Sequence, residues 1–237
     1  NIIENKKYKN IEEGFGVWAD YVRSFGYGRK LGTDFTGELN GNVPSSEFYD
    51  KAYRGRWNGL TVISLSIGQG ELGCTPLQMA NMVATVANRG HYRTPHVVKR
   101  IHDRDSIDAR FYVNHTTRVD ARWFEPIVEG MYQAVNGGGT GRIAMVPGLD
   151  ICGKTGTAQN PHGADNSTFF CFAPRNNPKI AVSVYIENGG FGATVAAPIA
   201  SLLTELYLTD TIQRAPLVEY VKNKQIAYPY YERQQRK

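Results

Sequence analysis

The chain has 237 residues, 41% hydrophobic and 21% charged, with a formal net charge of +5. That is enough for one globular domain with a sizeable core, and no stretch approaches the roughly 18 apolar residues of a membrane span or reads as a signal peptide. Beyond residue 211, six basic residues (Arg214, Lys222, Lys224, Arg233, Arg236, Lys237) face two acidic ones (Glu219, Glu232), a local balance of +4; without a nucleic-acid-binding motif this reads as a solvated tail, not a nucleic-acid surface.

Phe15, Trp18, Val22 and Phe25 recur at helical spacing before Gly26, so a helix is expected over about 11–25. Residues 27–60 are rich in Gly, Asp, Asn and Ser and read as an extended covering loop. A near match to the Gly-x-Ser-x-Gly elbow at 64–68 begins with Ser64 and runs into loop-like sequence, so a hydrolase of that type is set aside. Thr75-Pro76 is a strong helix start, with Leu77, Ala80, Met82, Val83 and Val86 as the apolar side and Gly90 as the stop. A short extended segment is expected within 91–101 and an edge hairpin in the polar stretch 102–119.

Asp120 is placed to cap the next helix, whose core stripe is Phe124, Ile127, Val128, Met131 and Val135 and whose stop is Gly137-Gly138-Gly139. Three strands follow at about 151–159, 167–173 and 179–187, with turns at Asn160-Pro161 and Asn176-Asn177-Pro178. Such short connections favour antiparallel pairing. The near-continuous apolar run Ala181–Ile186 predicts a last strand buried on both faces. A final helix over about 194–208, with Val195, Ile199, Leu202, Leu203, Leu206 and Leu208, is expected to cross the sheet, and residues 212–237 form a polar tail with Tyr220, Tyr228, Tyr230 and Tyr231.

Cysteines are Cys74, Cys152 and Cys171, with no zinc-like spacing. Cys152 and Cys171 fall on neighbouring predicted strands, which leaves a disulfide open, but buried free thiols are the preferred reading. The histidines (His91, His96, His102, His115, His162) show no HExxH pattern and read as surface or loop residues.

The most informative stretch is Gly153-Lys-Thr-Gly-Thr-Ala-Gln159. Counted from Gly148, it matches the phosphate-loop pattern G-x-x-x-x-G-K-[ST] through Thr155. A phosphate loop must open a helix at its Lys, whereas here Leu149, Ile151 and Cys152 fill the loop and the breakers Gly156 and Asn160-Pro161 follow. β-Branched Thr155 and Thr157 suit a strand. Strand alternation puts their two hydroxyls on one face, where they can hold a carboxylate, with Lys154 adding positive charge. Gly156 lets a ligand or a neighbouring element approach the backbone, and the Thr157 N–H can serve as an oxyanion donor. For Lys-Thr-Gly alone, an ordinary strand with a solvated Lys is the better reading.

The motif has company. Ser66-Ile-Gly-Gln-Gly70, Thr75-Pro-Leu-Gln-Met-Ala80, Asn136-Gly-Gly through Thr140-Gly141, Phe172-Ala-Pro174, Pro178-Lys-Ile-Ala-Val182 and Glu187-Asn-Gly-Gly-Phe-Gly192 surround it. With it, in this order over about residues 10–208, the chain resembles the transpeptidase domain of class B penicillin-binding proteins, in particular the elongation-type penicillin-binding protein 2 branch. The resemblance implies an α/β (α+β) fold, an antiparallel sheet flanked by helices, of which this chain supplies the C-terminal three core strands. Three strands alone imply either a companion segment or an unusually exposed apolar surface. The implied chemistry is serine acyl transfer on peptidoglycan stem peptides, blocked by β-lactams, with no cofactor and no metal. Lys154 and Thr157 are the implied catalytic residues, and Thr155, Gly156, Thr157 and Gln159 the implied substrate-binding ones. Implied partners are a membrane glycan polymerase and the elongation machinery, and the implied place is the inner membrane with the catalytic domain in the periplasm.

Two motifs of the set, Ser-x-x-Lys and Ser-x-Asn, do not occur in the chain. Tyr8-Lys9-Asn10 matches a Tyr-x-Asn variant by letters and is read as coincidence. Residues 1–211 are therefore expected to be the C-terminal portion of the domain, with the nucleophile upstream and no acylation by this stretch alone. A non-catalytic sensor or scaffold module, a nucleotide-binding ATPase acting through Gly148–Thr155, and a D,D-carboxypeptidase or β-lactamase are the rival readings.

Overall fold

The computed structural model describes residues 2–102 and 106–226. Contacts divide the described residues into two compact groups: 2–82 with 90–102 and 106–120, and 83–89 with 121–226. Tyr228, Tyr230 and Tyr231 of the predicted tail lie outside the described residues.

In the first group, α1 spans Ile11–Arg23. Asn10 caps it: its side chain accepts from the Glu13 N–H at 2.9 Å. Asn10 thus has a local structural role, consistent with reading Tyr-x-Asn as coincidence. Residues 27–60 are not loop throughout, because α2 occupies Ser46–Tyr53, capped by Ser45 and ended by Arg54 in the left-handed region. It brings Tyr49 to 0% exposure, in a cluster with Phe15, Trp57, Val62 and Leu65. Phe15 meets the edges of Tyr49 and Trp57 at ring distances of 5.4 and 5.5 Å. The discounted elbow is a 3-10 turn, Ile63–Ile67.

Helix α3, Pro76–Ala87, starts where predicted. The Thr75 hydroxyl accepts from the Gln78 N–H at 3.1 Å, and Gln78 Oε1 accepts from the Thr75 N–H at 3.0 Å, a reciprocal capping box. Its inward face is less apolar than expected, because Gln78, Asn81 and Thr85 are buried beside Val83, Val86 and Ala87. The Gln78 amide donates to the carbonyls of Gly26 (3.3 Å), Arg29 (2.9 Å) and Asn40 (2.8 Å), and so organises the loop the sequence could not order. Strands β1 (His91–Arg93) and β2 (Asn114–Thr116) pair antiparallel, Tyr92 opposite His115; among the described residues the stretch 102–119 supplies one strand that returns to 91–93, not the hairpin of its own that was expected. His91 and His115 are thus strand residues, half-buried rather than surface loop.

In the second group, the helix after Asp120 begins later than expected. A 3-10 turn at Ala121–Trp123 precedes α4, Phe124–Asn136, which has no side-chain cap bond at its N-cap Trp123. Phe124, Val128, Met131 and Val135 are buried as predicted, but Ile127 is 54% exposed. Strands β3 (Cys152–Ala158), β4 (Asn166–Ala173) and β5 (Ile180–Ile186) form an antiparallel sheet in the order β3-β4-β5. Helix α5, Ala196–Thr209, packs on β4 and β5, its Ala196, Ala197 and Ala200 meeting Phe169, Cys171 and Val184. This is the expected antiparallel sheet with helices.

Three details differ from expectation. Only Val184 of β5 is buried, because β5 pairs with β4 alone among the described residues. Leu203 and Leu206 are 48% and 44% exposed on the outer side of α5. The tail contains α6, Ala215–Lys222, which packs on α5. Arg214 Nε meets the buried Glu205 carboxylate at 2.8 Å, and the Tyr220 hydroxyl donates to the Thr194 carbonyl at 2.9 Å. Cys152 and Cys171 are free and buried. Cys152 stands opposite Phe172 and Cys171 opposite Gly153, so alternation turns the two thiols to opposite faces of the sheet. Large apolar side chains are exposed in both groups, Ile2, Leu60 and Ile67 in the first and Phe191 in the second, each at least 72% exposed.

Candidate active site

Lys154 is the third residue of β3, and the next element is another strand. A phosphate loop needs a helix there, so the nucleotide reading fails on backbone geometry.

The register puts Thr155 opposite Phe169 and Thr157 opposite Ser167, all on the face that α5 covers. Both Thr side chains are half-buried at the edge of the sheet, since β3 pairs only with β4 among the described residues. The Thr155 and Thr140 hydroxyls are hydrogen-bonded at 2.9 Å. Thr140 therefore fixes the rotamer of Thr155, a partnership the sequence did not reveal. The two are 15 positions apart and meet only because the Gly137–Gly139 turn after α4 brings Thr140 back over β3.

Lys154 is on the opposite face from the two threonines, by the same alternation, and is exposed. Its Nζ donates to the Thr155 carbonyl at 2.6 Å, which brings the ammonium round to the strand's own backbone. Lys154, Thr155 and Thr157 thus share the edge of β3 rather than one face. Gln159 lies just past the end of β3 and is exposed.

What approaches Gly156 is the chain itself. A Cβ on Gly192 would meet the Gly156 carbonyl oxygen at 2.5 Å and the Gly156 nitrogen at 3.0 Å, so the turn before α5 lies directly on the strand. On the other face a Cβ at Gly156 would strike the Thr168 methyl at 2.5 Å. Glycine is required here from both sides. The turn is fastened beside Thr157: Ser167 Oγ donates to the Phe191 carbonyl at 2.9 Å and accepts from the Ala196 N–H at 3.2 Å. Bonds from Gly190 N to the Asp165 carbonyl (2.7 Å) and from Asn160 Nδ2 to Asn188 Oδ1 (3.0 Å) tie the loop after β3 to the loop after β5. Sequence reading assigned roles to neither Gly192 nor Ser167; the Gly-rich run at 187–192 was the available signal.

Comparison with known proteins identifies the family. The family model for the penicillin binding protein transpeptidase domain matches residues 12–205. The peptidoglycan D,D-transpeptidase MrdA of Haemophilus influenzae is 35% identical over 226 aligned residues, covering 87% of this chain and 34% of that protein. MrdA of Escherichia coli K12 is 30% identical over 218 residues, covering 83% of this chain and 34% of the relative. Among solved structures, Pseudomonas aeruginosa PBP2 in complex with WCK 5153 superposes with a TM-score of 0.73 at 36% identity, over 86% of this chain and 45% of that one. The chain thus spans about a third of the length of these curated relatives. Strand order, the glycine-backed Lys-Thr-Gly-Thr edge and the match over residues 12–205 agree: this chain belongs to the penicillin-binding protein transpeptidase domain family.

Proposed function

We propose that residues 1–211 are the C-terminal portion of the transpeptidase domain of an elongation-type peptidoglycan D,D-transpeptidase, with residues 212–237 as its basic appendage. A serine upstream of this stretch attacks the carbonyl of the penultimate D-Ala of a stem peptide. The D-Ala–D-Ala amide bond breaks, terminal D-Ala departs with a proton on its nitrogen, and an ester links peptide to serine. An amine of a neighbouring stem then displaces the serine oxygen, forming the crosslink. β-Lactams acylate the same serine. Thr155 and Thr157 bind the terminal carboxylate through their hydroxyls, Gly156 keeps the strand accessible, and Gln159 extends the contact past the strand end. The Thr157 N–H completes the oxyanion hole, and Lys154 shapes the charge of the groove and positions protons. The whole protein is anchored in the inner membrane with this domain in the periplasm, where it works with a membrane glycan polymerase and the elongation machinery in cell elongation and shape.

The observation that supports this reading most is the glycine-backed strand edge, where Gly192 seats the turn on Gly156 and Thr140 holds Thr155. The test is fluorescent-penicillin labelling of the full-length protein. Wild type labels, and residues 1–237 alone do not. Thr157→Val slows labelling roughly 10- to 100-fold, the worth of one hydrogen bond to a charged group (~1.5–3 kcal/mol). An unlabelled wild type points to the non-catalytic module. Unchanged labelling of the variant removes Thr157 from its role. Product analysis on a stem peptide separates crosslinking from hydrolysis by a carboxypeptidase.

A further inference from the structure

We propose that a cleft in the first group of residues, between the end of α1 and strand β2, binds a phosphate-type oxyanion. The cleft has a volume of about 330 Å3, and Asp20, Arg23, Ser24, Arg29, His115 and Arg118 line it. Three arginines against one aspartate leave a lining charge of 3 − 1 = +2, His115 not counted. The arginines come from three places in the chain: the last turn of α1, the loop after it and the segment after β2. Their convergence is a product of the fold, not of a local charge run.

The guanidinium heads are held rather than loose. Arg23 Nη2 donates to the Val43 carbonyl at 3.3 Å, and Arg29 Nη2 donates to the Tyr92 hydroxyl at 3.1 Å. Arg118 lies over the Tyr21 ring at 5.3 Å, and its backbone N–H donates to Ser24 Oγ at 3.1 Å. His115 stacks on Tyr92 at 4.9 Å, and its Nε2 is 3.1 Å from the Thr94 hydroxyl, which makes its ring a fixed wall. Each guanidinium carries five N–H donors in a planar fork, and these bonds use only a minority of them.

Surface arginines commonly serve only to pair with carboxylates or to sit at a helix C-terminus. That account covers Arg23 and, in part, Arg118. It does not cover the stoichiometry: Asp20 is the ion-pair partner of both, at 2.8 Å from Arg118 and 3.7 Å from Arg23, with Glu47 near Arg23 as a further, more distant negative charge. Arg29 makes no ion pair among the described residues. Nor does the carbonyl end of α1 confront an anion with bare acceptors, since the N–H groups of Ser24, Phe25 and Gly26 cover the carbonyls of Asp20 to Arg23. A divalent phosphate or pyrophosphate matches both the charge excess and the fork geometry. The source is a soluble phosphate or a phosphate headgroup, and the proposal stands apart from the acyl-transfer reading.

The test is calorimetric titration of the full-length protein with inorganic pyrophosphate and, in a second arm, with dihexanoylphosphatidic acid below its micelle concentration. Arg29→Gln and Arg118→Gln each weaken binding by about tenfold, and added salt weakens it further. Arg29→Lys, which keeps the charge and loses the fork, falls in between. Asp20→Asn tightens binding severalfold by freeing two guanidiniums, whereas a purely structural Asp20–Arg118 pair would give a less stable protein with no gain in affinity. Unfolding midpoints of all variants report fold integrity. Binding of pyrophosphate alone assigns a soluble ligand, and preference for the lipid a headgroup. Absence of binding in both arms, or no gain in affinity from Asp20→Asn, overturns the proposal.

Discussion

Gly192→Ala isolates the contact that shapes the strand edge. Gly192 does not need glycine's conformational freedom, since its φ lies outside the left-handed region; its neighbours decide the outcome. The added Cβ meets three backbone atoms, the Thr168 carbonyl oxygen and the nitrogen and oxygen of Gly156. All belong to β3 and β4, which pair over seven positions, so none can yield as a side-chain tip would. Overpacking typically costs 1–3 kcal/mol, and a clash against paired backbone belongs at the upper end, about 3 kcal/mol. The turn must lift off β3 by a sizeable fraction of an ångström. That displaces the Ser167-to-Phe191 bond beside Thr157 and slows acylation by β-lactams at least about tenfold. Gly130→Ala is the control. It sits exposed in α4 with nothing within 4 Å of the new methyl and should stabilise by roughly 0.5–1 kcal/mol. Gly190→Ala separates space from strain: the site is open, but its φ is +73°, so a cost of about 1 kcal/mol arises from backbone alone. Denaturant midpoints of the full-length variants and second-order penicillin acylation rates are the readouts. A Gly192→Ala protein within 1 kcal/mol of wild type and acylating normally would refute the seating of this turn on the strand.

Gln78→Leu should destabilise by about 2–4 kcal/mol, because it strips hydrogen bonds from the Arg29 and Asn40 carbonyls and the Thr75 N–H together; a midpoint shift below 1 kcal/mol would show that water replaces them. Arg214→Met leaves the Glu205 carboxylate, whose side chain is only 4% exposed, with the Gln213 N–H as its remaining hydrogen-bond donor among the described residues. It should cost about 3 kcal/mol and open the chain before α6 to proteolysis. Burial pushes the Cys152 and Cys171 thiols up to about 12. The folded state therefore keeps these protons after the unfolded chain begins to lose them near pH 8.5. Their contribution is complete below that pH and declines as pH rises toward 12. A native-state thiol titration at pH 8 should modify Cys74 first and reach the other two only on unfolding.

The three sheet strands were legible because each carries a strand's composition between strong turns, and the observed bounds lie within two residues of those expected. The burial of β5 was not legible. A continuous apolar run signals a strand covered on both faces, while what lies over and beside a strand is set by the assembled sheet and not by the run. Helix α2 was hidden by its shortness and its Gly-rich surroundings, although Ser45 followed by Glu47 was a usable cap signal. Gln78 shows the reverse limit: a polar residue on an apolar helix looks like an exception until its three carbonyl partners, at least 38 positions away, are in place. At the candidate site, the Thr155–Thr157 pair followed from period-2 alternation. The Thr140 and Gly192 contacts did not, because they join β3 to segments 15 and 36 positions away.

That alternation also restricts how the site can be used. Lys154 and the two threonines project from opposite faces of one strand, and α5 covers the sheet on the threonine side. A ligand lying flat on either face would meet the ammonium or the hydroxyls, not both. Only along the edge of β3 that is unpaired among the described residues do the two sets converge, and there the Lys154 ammonium already bends to the Thr155 carbonyl. An extended chain aligned with that edge would find backbone groups, two hydroxyls and a cation in one row. A compact ligand such as a nucleotide phosphate would find one strand edge and no helix end to gather its charge. The backbone at Lys154 thus favours an extended peptide over a nucleotide, and Gly192, by pressing β3 from behind, keeps that edge where the ligand would need it.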